Sequence, residues 1–442
     1  MNIKIITTIC LMSVCCFSHG QGVYTLEKCK ELALQNNVEA KNSQLSVAAA
    51  EQTKKEAFTK YFPSIGATGV GFKASKPMMQ MDMDLSGLFQ SMGMPAIPPI
   101  PLNMLENGFI GAVMATQPVF AGGQIINGNK LAKIGMEVSG LQKKMTDDAL
   151  LLQVEQYFWQ IVTLEEKLKT LAEAETLLSR AQQDVSNAYH AGLINKNDLL
   201  KVELKQNELE SAKLKLNNGL KLSKMVLAQY VGVLQEGFEV DASLSEADLN
   251  LLNVRVDHEA ALQQRAEYQL LGKSVDAAQL QLKMKRGENL PTVAVGLGYN
   301  YFNMDMRKDG QMDNHFGMAF ATVSIPLSGW WGGSHAIKKQ KINVQMAQND
   351  RRNAEEMLLI QMQQCWNDLG EASLQVSLAD KTIASALENV RLNSDYYAAG
   401  TALLTELLDA QSALQQARDQ HTEALTGYKI KLLKYRQATG QY

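Results

Sequence analysis

Residues 396–414 read YYAAGTALLTELLDAQSAL, and residues 188–200 read AYHAGLINKNDLL. Tyr397-Ala398-Ala399-Gly400 repeats Tyr189-His190-Ala191-Gly192. Glu406-Leu407-Leu408 repeats Asp198-Leu199-Leu200, and both offsets are 208. A glycine between two apolar-periodic stretches stops a helix, because it takes a left-handed backbone without a Cβ penalty. Each segment therefore reads as the tip of a helical hairpin, at 190–197 and 398–405.

The offset holds further out. Gln117-Pro118 returns as Ile325-Pro326, and Gly232 returns as Gly440, again at 208. Towards the N-terminus, Ala33-Leu34-Gln35 returns as Ala261-Leu262-Gln263 and Phe62-Pro63 as Leu290-Pro291, at 228. Two constant offsets with one change between them describe a tandem repeat. Its first copy has gained a segment, the difference between 228 and 208, between Pro63 and Pro118. The expected copies are 21–232 and 258–442, joined by a linker over 233–257.

Proline placement says what each copy contains. All nine prolines fall at 63–118, 291 and 326. Proline breaks helix interiors, so the proline-free stretches 119–290 and 327–442 are free to be long helices. A seam runs through the first at alternating spacings of four and three: Leu150, Val154, Tyr157, Ile161, Leu164, Leu168 and Leu171. Shifted by 208, it becomes Leu358, Met362, Cys365, Leu369, Ala372, Val376 and Ala379. A sustained period of about 3.5 is the coiled-coil pattern. The hairpins are expected over 124–231 and 332–440.

The proline-bounded segments change period. In 291–302, Val293, Val295, Leu297, Tyr299 and Tyr301 alternate with small or polar residues. That is strand periodicity. The expected strand pairs are 291–302 with 315–327 and, with weaker alternation, 63–72 with 109–119. A tilted strand of about 11–12 residues spans roughly 25–30 Å, the height of an outer-membrane hydrocarbon layer. Four strands cannot close a barrel, and lipid tolerates no open sheet edge. Copies of the chain must therefore supply the remaining strands, and the arithmetic allows eight, twelve or sixteen in all.

Composition excludes several classes. The net charge of −3 is too low in Lys and Arg for a protein that coats nucleic acid. Residues 1–20 read as a secretory signal, with Lys4, a short apolar run to Phe17, and Ser18 and Gly20 before a cut. Cys29 and Cys365 read as small buried hydrophobes rather than a bridge. No GxxxxGK[ST], HExxH or CxxC occurs and the histidines lack ligand spacing, so the chain reads as a non-enzyme without a cofactor. Residues 76–104 hold seven of the 21 methionines. The plain reading is an apolar external loop and no metal site; the candidates for soft-metal binding there are Met78, Met79, Met81 and Met83.

With these residues in view, the chain resembles the TolC-like outer-membrane efflux channel family over about 24–442. The repeat, two strand pairs, Ala191-Gly192-Leu193 and Ala399-Gly400-Thr401 at the tips, and the equal spacings of 74 from Pro118 to Gly192 and from Pro326 to Gly400 carry the resemblance. It implies an α+β membrane protein: a homotrimer with a twelve-strand outer-membrane barrel and a periplasmic barrel of coiled-coil helices. The implied role is a passive exit channel in a tripartite system for drugs, metals or proteins. Its partners are a periplasmic adaptor, an inner-membrane pump or ABC exporter, and outer-membrane lipid, with no nucleic acid. By match, Ala191, Gly192, Leu193, Ala399, Gly400 and Thr401 contact the adaptor, and Glu406, Asp409, Asp198 and Tyr397 form the periplasmic gate. The family's basic residue two positions after the glycine is Ala402 here, and Lys201 is a candidate substitute. The competing reading is a periplasmic coiled-coil scaffold or adaptor, with the strands as a small soluble domain.

Overall fold

A computed structural model describes residues 23–76, 79–95, 98–104, 107–233, 238–241, 254–306, 310–327 and 329–441. The signal segment 1–20, Met78 and most of the linker 233–257 lie outside the described residues.

Two long helical hairpins account for most of the chain. Helix α4 (Gln124–His190) turns back as α5 (Lys196–Val231), and α8 (Gly329–Ala398) turns back as α9 (Leu404–Ala438). With a rise of about 1.5 Å for each of its 67 residues, α4 is a rod of roughly 100 Å. Shorter helices precede the strands in each copy: α1 (Leu26–Asn36) and α2 (Val38–Thr59) in the first, α6 (His258–Leu262) and α7 (Ala266–Gly287) in the second. Thr25 caps α1, its hydroxyl oxygen accepting from the Lys28 N–H at 3.3 Å.

The chain divides into two compact units that cut across the repeat. One is Met1–Val47, Ser139–Leu271 and Arg351–Tyr442; the other is Ala48–Val138 and Gly272–Asp350. Each unit takes matching parts of both copies, because the rods are far longer than either core.

In the first unit, Leu150, Val154, Ile161 and Leu171 of the seam are buried, as are Met362, Leu369, Val376 and Ala379 of its counterpart. Burying each of the larger aliphatic side chains contributes about 1.5–3 kcal/mol. Between 154 and 162 the stripe widens. Phe158, Trp159 and Val162 are buried too, against Cys29, Ala33, Leu227 and Val231 of α1 and α5, and Glu155 is buried beside them in an ion pair with Lys30 of α1 at 2.7 Å. Burial pushes the Cys29 thiol up to about 11, and both Cys29 and Cys365 are free. Strand β1 (Val23–Tyr24) pairs in parallel with β6 (Glu239–Val240), and Tyr24 stacks on Phe238 at 4.9 Å. Lys224 holds that segment down, bonding Glu165 at 2.9 Å and Glu239 at 2.5 Å.

Asp419 on α9 carries a cost. Its Oδ1 is buried without a hydrogen-bond partner among the described residues, and burial raises its pKa, with Lys167 opposing and Glu423 adding. An acid with a raised folded pKa holds its proton more tightly folded than unfolded. Its charge therefore destabilises the fold above that pKa, and the penalty disappears as pH falls towards the ordinary carboxylate range. Asp419→Asn is expected to raise the melting temperature by roughly 1–2 °C at neutral pH and to lose that advantage in the acid range. Melting curves across pH check this; a gain that grows on acidification overturns it.

The second unit holds a four-stranded antiparallel sheet. Its strands are β2 (Ser64–Lys73), β5 (Asn107–Ala121), β7 (Thr292–Met306) and β8 (Gly310–Ser324), in the order β2-β5-β7-β8. The central β5–β7 pairing joins the two copies, with a bulge between Pro118 and Phe120. Several limits differ from the expected ones. β5 extends to Asn107 and Ala121, β7 continues past residue 302 to Met306, and β8 begins at Gly310 instead of 315 and stops at Ser324, because Pro326 has no N–H to donate. The register sets large against small: Gly296 faces Phe320 and Gly298 faces Met318. Large apolar side chains stay exposed, Ile65 at 75%, Leu297 at 66% and Val323 at 62%. No described helix is long and apolar enough to cross a membrane.

Segment 76–104 carries structure of its own. β3 (Met79–Met83) pairs antiparallel with β4 (Ile100–Met104), and a short helix, α3 (Ser86–Ser91), lies between them. Its methionine and proline content hid the period-2 spacing of Met79, Met81 and Met83.

The turn from β5 into α4 is tight. Gly122 has φ +59°, and a Cβ there would stand 2.2 Å from the Gly287 carbonyl oxygen. The contact is reciprocal, since a Cβ on Gly287 would meet the Gly122 oxygen at 2.2 Å. Two backbones pass here with no room for a side chain.

Candidate functional site

The hairpin tips lie in the first unit and are built twice by one device. At the end of α4, Gly192 takes φ +71°, the Leu193 N–H donates to the Ala188 oxygen and the Gly192 N–H to the Tyr189 oxygen, both at 2.9 Å. At the end of α8, Gly400 also takes φ +71°, and Thr401 and Gly400 donate to Tyr396 and Tyr397 at 2.9 and 3.0 Å. This is the Schellman stop, and it turns the residues beyond the glycine out towards solvent. Leu193 is 78% exposed and Leu403 69%, while Ala191, Ala399 and Thr401 are exposed as well.

Behind the tips, the two hairpins share one apolar cluster. Leu178, Val185, Val202, Leu209, Leu404 and Leu408 are buried together, with Ile194, Leu199 and Tyr397 at the margin. Tyr397 is half-buried. Its phenol pKa is raised by burial and then by the charges of Asp198 and Asp184. The fold thus brings Asp198 and Tyr397 together across the hairpins. It also adds Asp184, which sequence reasoning missed and which stands one residue before the buried Val185.

Glu406 and Asp409 sit one turn apart on α9, and Asp409 is exposed. Glu406 has a local duty. Its Oε2 accepts from the Leu403 N–H at 3.1 Å, satisfying a free donor at the start of the helix. The Leu403-to-Glu406 spacing of three could have disclosed this. Asp409 has no partner among the described residues. Lys201 donates to Asp198 Oδ1 at 3.1 Å on its own helix, so it does not reach for Glu406 or Asp409. Its charge balances the first copy's acid and leaves the pair on α9 uncompensated.

Among the described residues no cluster of His, Cys, Asp or Glu could hold a metal ion. The tips present apolar side chains, with carboxylates beside them.

Comparison with known proteins agrees with this geometry. Residues 258–441 match the outer membrane efflux protein family. No curated protein matches the chain. Among solved structures, the outer-membrane channel OprN superposes with a TM-score of 0.77 at 13% identity, covering 94% of this chain and 89% of that one. The channel protein CusC gives 0.77 at 14%, covering 94% and 92%. The outer membrane protein VceC of Vibrio cholerae gives 0.74 at 14%, covering 94% and 96%. Residues 258–441 are thus an outer membrane efflux protein domain, and the chain as a whole has the fold of the TolC-like outer-membrane efflux channels that it resembles.

Proposed function

We propose that the chain is one third of a homotrimeric exit channel in the outer membrane of a Gram-negative bacterium. It serves a tripartite export system with a periplasmic adaptor and an inner-membrane pump or ABC exporter. One observation carries the reading. Among the described residues the sheet β2-β5-β7-β8 ends in two edge strands, β2 and β8, each paired on one side only, and it exposes large apolar side chains. Open edges and apolar faces are unstable in water and unacceptable in lipid until other strands close them, and three copies make twelve.

In this reading the channel is passive. Leu193 and Leu403, beside Ala191, Gly192, Ala399, Gly400 and Thr401, form the surface an adaptor grips. Tyr397 and Asp198 hold the hairpins together behind it, and Glu406 and Asp409 line the aperture. The family match over the second copy supports the assignment, since it contains the tip and both acids.

The test is expression with the signal segment in a Gram-negative host, followed by membrane fractionation and planar bilayers. The expected result is an outer-membrane, heat-dissociable trimer with stepwise conductance. A stable soluble monomer overturns the channel reading and favours the scaffold.

A further inference from the structure

The chain carries a net charge of −3, but its charge is unevenly placed. The four stretches that adjoin the sheet, 48–63, 122–137, 276–291 and 326–341, hold eleven Lys and Arg against five Asp and Glu. All four belong to the second unit. The antiparallel register puts the starts of β2 and β7 and the ends of β5 and β8 at one end of the sheet. The helices joined there lie side by side in the order of their strands. The Asn129 amide of α4 donates to the Ala57 oxygen of α2 at 2.8 Å, Lys273 of α7 pairs with Glu137 of α4 at 2.7 Å, and the Gln340 amide of α8 donates to Gln281 of α7 at 3.1 Å. The basic residues thus form one continuous collar beside the sheet.

Ion pairing within the collar does not account for the excess. It engages Lys55, Lys133, Lys273 and Lys285, and leaves the exposed Lys60, Lys130, Lys283 and Lys338, one in each stretch, without an acidic partner among the described residues. Aromatic rings stand at the same level. Phe62 is 56% and Trp331 80% exposed, and Phe58 meets Tyr61 and Phe62 edge-on at 5.6 Å. Exposed rings among lysines at the end of an apolar sheet have the composition of a membrane interface. The depth agrees. At about 1.5 Å per residue, Lys130 stands about 9 Å along α4 and Lys338 about 14 Å along α8. A headgroup layer is about 5–8 Å deep on each side, the potential of anionic lipid reaches about 8 Å further, and lysine stems extend back towards it.

We propose that this collar docks on anionic phospholipid headgroups of the leaflet on the helix side of the sheet, through Lys60, Lys130, Lys283 and Lys338 with Trp331 beside them. The inference rests on the channel reading, which puts the sheet in a bilayer.

The experiment uses the full-length protein in neutral detergent micelles at about 0.1 M salt. Phosphatidylglycerol or phosphatidylcholine with brominated chains is added, and quenching of tryptophan fluorescence reads lipid beside Trp331. Phosphatidylglycerol is expected to bind roughly tenfold tighter, and more salt is expected to erase the difference. Lys60→Gln/Lys130→Gln/Lys283→Gln/Lys338→Gln is expected to bring the two lipids close to parity. Lys196→Gln/Lys215→Gln/Lys221→Gln/Lys381→Gln removes the same charge from exposed sites in the first unit and is expected to keep the preference. Equal quenching by the two lipids in the parent overturns the proposal without recourse to any variant. So does a preference that vanishes when inorganic phosphate replaces chloride at equal ionic strength, which would assign the collar to soluble anions. Either result leaves an outer-membrane, conducting trimer intact, whereas a soluble monomer removes the channel reading itself.

Discussion

Gly122→Ala will sharply lower the yield of assembled protein, although it adds only one methyl group. The new Cβ would stand 2.2 Å from the Gly287 carbonyl oxygen, and that oxygen belongs to backbone that cannot swing aside. The left-handed φ of +59° adds its own penalty of about 1 kcal/mol for any residue with a Cβ. The combined cost is about 3 kcal/mol or more, a large fraction of the roughly 5–15 kcal/mol that holds a folded domain together. The control is Gly128→Ala, six residues on in α4, where a Cβ would meet only Met284 Cε at 4.0 Å. There alanine is expected to help by about 0.5–1 kcal/mol, because glycine is a poor helix former. The yield of heat-resistant oligomer in outer membranes separates the two. Equal yields would show that the turn tolerates a side chain.

The second large effect is on ion selectivity. If three copies surround an aperture, Glu406 and Asp409 bring six carboxylates to it. At about 6 Å, each like-charge pair costs roughly 1–3 kcal/mol across effective dielectrics of about 80 to 20. Such a ring lowers its energy by holding cations, so the pore is expected to prefer them and to be blocked by multivalent cations from the tip side. Glu406→Gln/Asp409→Asn is expected to bring the reversal potential in a salt gradient close to zero and to relieve the block. Glutamine keeps an oxygen that can accept from the Leu403 N–H, so the helix start survives. Glu406→Ala would confuse the test, removing the charge together with a cap of about 1 kcal/mol. A reversal potential unchanged in the double variant would remove these two residues from the pore.

Much of this architecture can be read from few residues. Absence of proline over 119–290 and 327–442 licenses helices of the length seen in α4 and α8, and Gly192 and Gly400 mark where they turn. The alternation in 291–302 points to β7. What stayed hidden depends on contacts distant in sequence. Glu155, Phe158 and Trp159 lie off the seam and are buried because α1 and α5 pack there. The extension of β7 to Met306 comes from pairing with β8 and not from its own polar residues. In the candidate site, the tip glycines and the acids were visible as types at spacings. That Lys201 pairs with Asp198, and that Asp184 adds its charge beside Tyr397, required the folded helices.

The pairing of β5 with β7 has a consequence for biogenesis. A ribosome that has finished Ala121 has made one strand of the duplicated chain's central ladder, but its mate is complete only at Met306. The first copy cannot mature alone, however complete its helices. The nascent chain therefore carries an unsatisfied β-edge while the second copy is still being made, and that edge is open to wrong pairing until the tail of the chain arrives.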